Sequence, residues 1–258
     1  MTLLSVRNLT LVNNGRPLLD DVSFAVAPGE YLAVIGPNGA GKTTLLKCID
    51  LLLTSWNGEI LFDGVSVRKI PRKTLARRIA YVQQSVRPVF AFTVQQIVEM
   101  GRYPHLKPFS PISETDQKIV ADAMETMGVT ELADRYLDTL SGGERQKVQI
   151  AAALAQEADV LFLDEPTTYL DYKHQSEIGR LLRTFNQRHR KTIIEVTHDV
   201  NRAVLDATHV IALVEGRIQF DGSPRYLMEP EHLRSIYRVD FQFVDHPTLP
   251  LKIVVPGV

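Results

Sequence analysis

Gly36-Pro37-Asn38-Gly39-Ala40-Gly41-Lys42-Thr43-Thr44 is the stretch that decides the fold. The run before it, Tyr31-Leu32-Ala33-Val34-Ile35, is continuously apolar, as in a strand buried on both faces. The run after it, from Lys42 to about Leu52, reads as a helix. Strand, glycine-rich loop and helix in that order satisfy G-x-x-x-x-G-K-[ST] in the context its chemistry requires. Gly36, Gly39 and Gly41 let main-chain N–H groups turn inward around an anion. The helix beginning near Lys42 points its positive end at the same place. Lys42 is placed to reach the β and γ phosphates of a triphosphate, and Thr43 to coordinate Mg²⁺.

Outward from this loop, strands alternate with helices. Leu3 to Leu11 alternates as a strand, a turn falls at Asn13-Asn14-Gly15, and Val22 to Val26 reads as a second short strand. Gly58 to Phe62 and Ile79 to Val82 are further strands, with a short helix between them at Leu75 to Arg78. From about Thr93 to Ala155 the pattern is mainly helical, broken near Pro104 to Pro111 and at Leu140 to Gly143. Val160 to Leu163 and Thr192 to Thr197 are apolar strands separated by an amphipathic helix, Lys173 to Gln187. Val210 to Val214 and Arg217 to Phe220 form a hairpin over Glu215-Gly216. The tail from Pro224 mixes a short helix with a proline-containing end. Such alternation predicts an α/β fold with a mostly parallel sheet covered on both faces.

The 258 residues carry 45% hydrophobic and 23% charged side chains, the balance of an ordinary globular protein. A formal net charge of -1 excludes the basic footprint of a nucleic-acid-binding domain. The basic run from Arg68 to Arg78 is broken by Pro71 and reads as a solvated face rather than a nucleic-acid patch. Cys48 is the one cysteine, so no intramolecular disulfide forms, which fits a reducing compartment. Met1 to Gly15 does not read as a signal peptide. The leucine-rich stretch Leu45 to Leu53 contains Lys47 and Asp50 and is too short to span a bilayer. Work at a membrane would need a second chain.

Two more motifs carry chemistry. In Val160-Leu161-Phe162-Leu163-Asp164-Glu165 an apolar strand ends in adjacent carboxylates, at the edge where open α/β sheets bind ligands. Asp164 suits the hydration shell of Mg²⁺, and Glu165 suits orientation or deprotonation of an attacking water. In Leu140-Ser141-Gly142-Gly143-Glu144-Arg145-Gln146, Ser141 is a good N-cap and the glycines free the backbone. On physics alone an ordinary capped helix explains this segment better than a second phosphate site does.

Leu140 to Gln146 resembles the signature motif of the ABC ATPase family, and the phosphate loop and Asp164-Glu165 stand in that family's order. The resemblance runs from about Leu3 to Gly222. It implies a P-loop ABC ATPase fold with antiparallel N-terminal strands and an inserted helical subdomain. Residues 1–84 and 157–222 would be the RecA-like ATP-binding core, 85–156 the helical signature subdomain and 223–258 a C-terminal extension. It implies ATP and Mg²⁺ as cofactors. It also implies a head-to-tail homodimer, with each ATP between the loop of one subunit and Ser141, Gly142 and Gly143 of the other. Gln84 resembles the glutamine that touches Mg²⁺ and the attacking water; Gln83 stands where the family has proline, so the assignment lies between the two and Gln84 is favoured. Asp171, in Tyr169-Leu170-Asp171, resembles the loop that senses the opposite subunit. His198, in Thr197-His198-Asp199, resembles the γ-phosphate histidine, so the implied catalytic set is Glu165, His198 and Gln84. The family's adenine-stacking aromatic is missing: Asn13 occupies its place.

Exporters of this family carry a membrane domain, repair ATPases insert long coiled coils, and translation factors carry two cassettes; none of these matches this chain. The resemblance therefore implies an importer subunit beneath an integral membrane permease dimer, at the cytoplasmic face of the membrane and served indirectly by a substrate-binding protein. Gly101-Arg102-Tyr103-Pro104-His105 resembles the subgroup serving iron-siderophore, haem and cobalamin uptake. The alternative is a free-standing ATPase acting on a soluble assembly, an iron–sulfur scaffold or nucleic acid.

Overall fold

The computed structural model of the protein describes residues 2–84, 91–107, 110–246 and 252–256. The chain divides into two compact units, one of residues 1–70 and 192–258, the other of residues 71–191.

The first unit opens with β1 (Leu4–Asn13) and β2 (Arg16–Val26), an antiparallel hairpin. Asn14 (φ 50°) and Gly15 (φ 75°) take the positive φ that suits a two-residue hairpin turn. β2 starts at Arg16 rather than Val22, because pairing with β1 outweighs the weak strand preference of Pro17, Asp20 and Asp21. The alternation of β1 breaks at Arg7-Asn8, where the register shifts. Asn8 (φ 47°) faces Asp21 (φ 56°) there, and their side chains bond at 2.7 Å. The bulge returns Leu9 and Leu11 to the buried face that Leu4 and Val6 occupy. β3 (Tyr31–Ile35) is buried at every position. α1 (Lys42–Ile49) ends before Leu52, since Leu51 holds φ 56°. β4 (Asn57–Phe62) and β5 (Val65–Ser66) complete an antiparallel sheet of order β2-β1-β4-β5. Arg68 stacks on Trp56 at 3.7 Å and donates to the Trp56 carbonyl, so part of the basic run serves packing.

The second unit contains α2 (Arg72–Leu75), β6 (Ile79–Val82), α3 (Val94–Met100), α4 (Glu114–Met127), α5 (Gly142–Ala155), β7 (Val160–Asp164) and α6 (Tyr172–His189). α2 lies earlier than Leu75 to Arg78, directly after Pro71. β6 and β7 pair in parallel, Ile79 with Val160 through Val82 with Leu163. Helices α3, α4 and α5 each begin with a reciprocal capping box: Thr93 with Gln96, Ser113 with Asp116, and Ser141 with Glu144.

Gly101-Arg102-Tyr103-Pro104-His105 serves packing in this unit. Arg102 is buried and bonds Asp116 (2.9 Å), the Ala155 carbonyl (2.6 Å) and Glu157 (2.8 Å). His105 bonds the Gln156 carbonyl at 2.9 Å. A Cβ on Gly101 would lie 2.1 Å from the Ala152 carbonyl oxygen, so glycine lets α3 end against α5. The string therefore ties the end of α3 to α4 and α5.

At Thr192 the chain re-enters the first unit with β8 (Thr192–Val196), α7 (Val200–Asp206), β9 (His209–Val214) and β10 (Arg217–Gly222). β3 lies between β8 and β9, parallel to both, and β10 is antiparallel to β9. Buried Glu195 on β8 bonds the Tyr31 hydroxyl and lies 3.2 Å from Arg202 on α7. Burial raises the Glu195 pKa, and the Arg202 charge opposes that rise. The C-terminal extension forms α8 (Pro224–Leu227), α9 (Pro230–Tyr237) and a hairpin of β11 (Phe241–Asp245) and β12 (Lys252–Pro256). Each short helix starts with proline, whose fixed φ suits a first helical turn.

Candidate functional site

In the first unit β3 delivers the chain to Gly36 at φ 135°. A Cβ at that position would lie 2.0 Å from the Leu213 carbonyl oxygen of β9. Gly41 holds φ 102°, and a Cβ there would lie 2.6 Å from the Leu18 carbonyl oxygen. The loop is thus pressed against β9 and β2 at its two ends, which only glycine permits. Between them Pro37 is half-buried, and Asn38 and Gly39 are exposed. Gly41 is the N-cap of α1 and supplies no capping side chain. The helix's positive end therefore faces the loop, available to an anion. Lys42 is buried, and its Nζ donates to the Gly36 (2.8 Å) and Pro37 (2.9 Å) carbonyls. An ammonium is held at the loop's mouth, and Thr43 and Thr44 follow it, half-buried.

His198 also belongs to the first unit, exposed just past the end of β8. The turn that carries it is tied down on its far side. Thr197 Oγ1 accepts from the Asp199 N–H (3.1 Å), and Asp199 caps α7 by accepting from the Arg202 N–H (3.0 Å). Asn13 ends β1 and is exposed.

In the second unit Asp164 is buried at the end of β7 and accepts a hydrogen bond from the Tyr81 hydroxyl at 3.1 Å. Glu165, next in sequence, takes φ 50°. Its Oε2 accepts from Gln84 Nε2 (2.8 Å) and from Thr168 Oγ1 (3.0 Å). Gln84, not Gln83, makes this contact. Gln83 instead lines a cavity of about 290 Å³ with Tyr81, Ile97 and Met100. Residues 85–90, which follow Gln84, lie outside the described residues.

The signature segment and Asp171 meet in the same unit. Ser141 caps α5, with its hydroxyl 2.7 Å from Glu144 Oε2. The Ser141 hydroxyl and N–H hold the Glu144 carboxyl below its ordinary pKa. A Cβ on Gly143 would lie 2.4 Å from the His174 ring, so glycine lets that ring pack against the signature helix. His174 Nδ1 is 2.9 Å from Asp171 Oδ1, and its N–H donates to the same oxygen, making Asp171 the N-cap of α6. The bonds to His174 lower the Asp171 pKa. Tyr169 and Tyr172 beside it are 93% and 90% exposed.

Tyr81, Thr168 and His174 are functional candidates that sequence reasoning missed. Tyr81 carries no motif signal, because its partner Asp164 comes from another segment, and Thr168 bonds Glu165 three residues before it. His174 had a signal, its place in the first helical turn after the capping Asp171.

Residues 19–168 match the ABC transporter family. The chain is 39% identical over 248 residues to the ferric enterobactin transport ATP-binding protein FepC of Escherichia coli (strain K12), covering 96% of this chain and 92% of that protein. It is 36% identical over 247 residues to the iron(3+)-hydroxamate import ATP-binding protein FhuC of Bacillus subtilis (strain 168), again covering 96% and 92%. Among solved structures, the dimeric post-hydrolysis state of the ATP-binding cassette MJ0796 bound to ADP and Pi superposes with a TM-score of 0.74 at 27% identity, covering 86% of this chain and 99% of that one. With its phosphate loop, carboxylate pair and signature segment in place, this chain belongs to the ABC transporter family.

Proposed function

We propose that this chain is the ATP-hydrolysing subunit of an importer that takes up an iron complex (ferric siderophore or haem) or cobalamin through a separate membrane permease, working at the cytoplasmic face of the membrane. The observation that carries the ATPase reading is the loop 36–44: glycines pressed against β9 and β2, an uncapped helix end, and a buried Lys42 ammonium at the mouth. Such a loop fits a triphosphate, because main-chain dipoles and one fixed cation meet its charge. Thr43, Gln84 and Asp164 carry the oxygen donors proposed for Mg²⁺, a hard cation that such oxygens suit and that would neutralise phosphate charge.

Each residue then has a task. Lys42 stabilises charge on the β and γ phosphates. Glu165, held by Gln84 and Thr168, orients or deprotonates the attacking water. His198 contacts the γ-phosphate. Ser141, Gly142 and Gly143 complete the site of a second copy, and the exposed Tyr169 and Tyr172 beside Asp171 suit a protein interface. Among the described residues no helix is long and apolar enough to cross a membrane, so an integral permease dimer supplies the path, with a substrate-binding protein upstream of it. The cargo class follows from the relatives, whose named substrates are ferric enterobactin and iron(3+)-hydroxamate.

Uptake in a deletion strain of the source organism tests this reading. Labelled ferric siderophore, haem and cobalamin are supplied separately, with complementation by wild type and by Glu165→Gln. Loss of one uptake, restored by wild type alone, is expected. Unchanged uptake of all three overturns the cargo assignment.

A further inference from the structure

The C-terminal extension packs on the two elements that flank the nucleotide site in the first unit. Leu233 and Ile236 of α9, with Leu227 and Val254, share one buried cluster with Ile35 of β3 and with Val200, Ala203 and Val204 of α7. Ile35 is the residue before Gly36, and α7 begins directly after His198 and its Asp199 cap. One apolar contact thus reaches both the loop's entry and the histidine's exit. Asn201 adds a polar tie, donating to the Val254 carbonyl (2.9 Å) and accepting from its N–H (2.7 Å).

Tyr237 closes α9 at the loop itself. Its ring packs edge-on against Phe241 at 5.8 Å. Its hydroxyl oxygen is buried and forms no full hydrogen bond with any described residue. Burial pushes the Tyr237 pKa up to about 12; the Gly36 main chain acts against that rise and the Asp199 carboxylate adds to it. Tyr237 and residues 37–40 of the phosphate loop border the same space. It is a cavity of about 320 Å³, bounded also by Glu215 and Arg238. The rim is tied: Arg238 Nη2 donates to Glu215 at 2.9 Å, and the Gly216 N–H donates to the Ala40 carbonyl at 3.1 Å. Space for loop movement, a fixed rim and a buried hydroxyl short of a partner meet at one point.

We propose that Tyr237 is a positioning residue for ATP binding, its hydroxyl taking a full hydrogen bond from the Gly36 main chain when the loop closes on a triphosphate. This rests on the reading of Gly36–Thr44 as the nucleotide loop. A buried hydroxyl without a partner costs free energy, and gaining one restores it. If the partner arrives only with loop closure, that energy adds to nucleotide affinity and not to the stability of the free chain.

The test uses the full chain with Tyr237→Phe, which keeps the ring and removes the hydroxyl. Phe241→Leu serves as a packing control and Lys42→Ala as a control on the loop. ATP affinity, kcat and KM are measured with Mg²⁺, and melting is followed without nucleotide. Tyr237→Phe is expected to melt at or above the wild-type temperature while losing about fivefold in ATP affinity, the size of one hydrogen bond. KM should rise more than kcat falls. Phe241→Leu is expected to melt lower with ATP affinity unchanged. Unchanged affinity in Tyr237→Phe, or affinity losses in both variants that track melting temperature, would overturn the proposal. Lys42→Ala separates the two levels. If it binds ATP as wild type does, the loop reading fails; if it loses ATP while Tyr237→Phe does not, only the Tyr237 proposal fails.

Discussion

Glu165 holds φ 50°, a conformation that costs a non-glycine residue roughly 1–2 kcal/mol. The turn re-aims the chain as it leaves β7, so that consecutive carboxylates serve different partners: Asp164 meets Tyr81, and Glu165 meets Gln84 and Thr168. Strain of this kind persists where the surroundings over-determine it. Glu165→Gln keeps the shape and removes the base, so ATP turnover should fall by at least about a hundredfold with ATP binding retained. Steady-state hydrolysis beside equilibrium binding checks this, and turnover at the wild-type rate would remove Glu165 from its role. A second residue sets a pH dependence. His209 lies 2.6 Å from both Glu30 and Asp221, and its pKa rises from 6.5 to about 9; the Glu30 hydrogen bond is the largest favourable cause, working against burial. A raised pKa in the folded state means that the stabilisation is complete below 6.5 and is lost as pH climbs through about 9. The melting temperature should fall by several degrees across that window and stay flat in His209→Gln. Equal slopes in the two proteins would show that another group titrates.

Arg102, just past the end of α3, ties that helix to α4 and α5. That guanidinium is 4% exposed and joins Asp116 of α4 to the end of α5. Removing one partner of a buried pair leaves the other charge uncompensated, which costs about 3–5 kcal/mol. Arg102→Ala should therefore lower the denaturant midpoint of the chain sharply, and Arg102→Met combined with Asp116→Leu should recover much of the loss. A midpoint within error of wild type for Arg102→Ala would show the pair to be dispensable. At this scale the string Gly101 to His105, noticed in sequence as a mark of a transporter subgroup, acts by packing. His174 is the matching case at the head of α5, where its ring occupies the space beside Gly143 and hangs from Asp171.

The whole molecule carries the residues proposed for nucleotide binding in two compact units, with the phosphate loop and His198 in one and Gln84, Asp164, Glu165, the signature and Asp171 in the other. ATP contacts shared between two copies would make dimerisation depend on nucleotide. Glu165→Gln should thus accumulate as a dimer with ATP and Mg²⁺ and remain a monomer with ADP, as read by light scattering; a monomer under both conditions would count against the head-to-tail arrangement. Much of this was determined by sequence alone. The loop 36–44, the buried strands, the cap of α5 and the family were legible because each depends on short-range chemistry: a glycine's φ, an unbroken apolar run, a hydroxyl placed before a helix. Tertiary structure alone decided the rest. β2 reaches back to Arg16 because β1 pairs with it, Arg102 is buried because α4 and α5 surround it, and Tyr81 serves a carboxylate on a strand far along the chain. The C-terminal extension reaches the phosphate loop through Tyr237, some two hundred residues away along the chain. Such partnerships are set by which distant segments the fold packs side by side, and no local pattern in the chain records them.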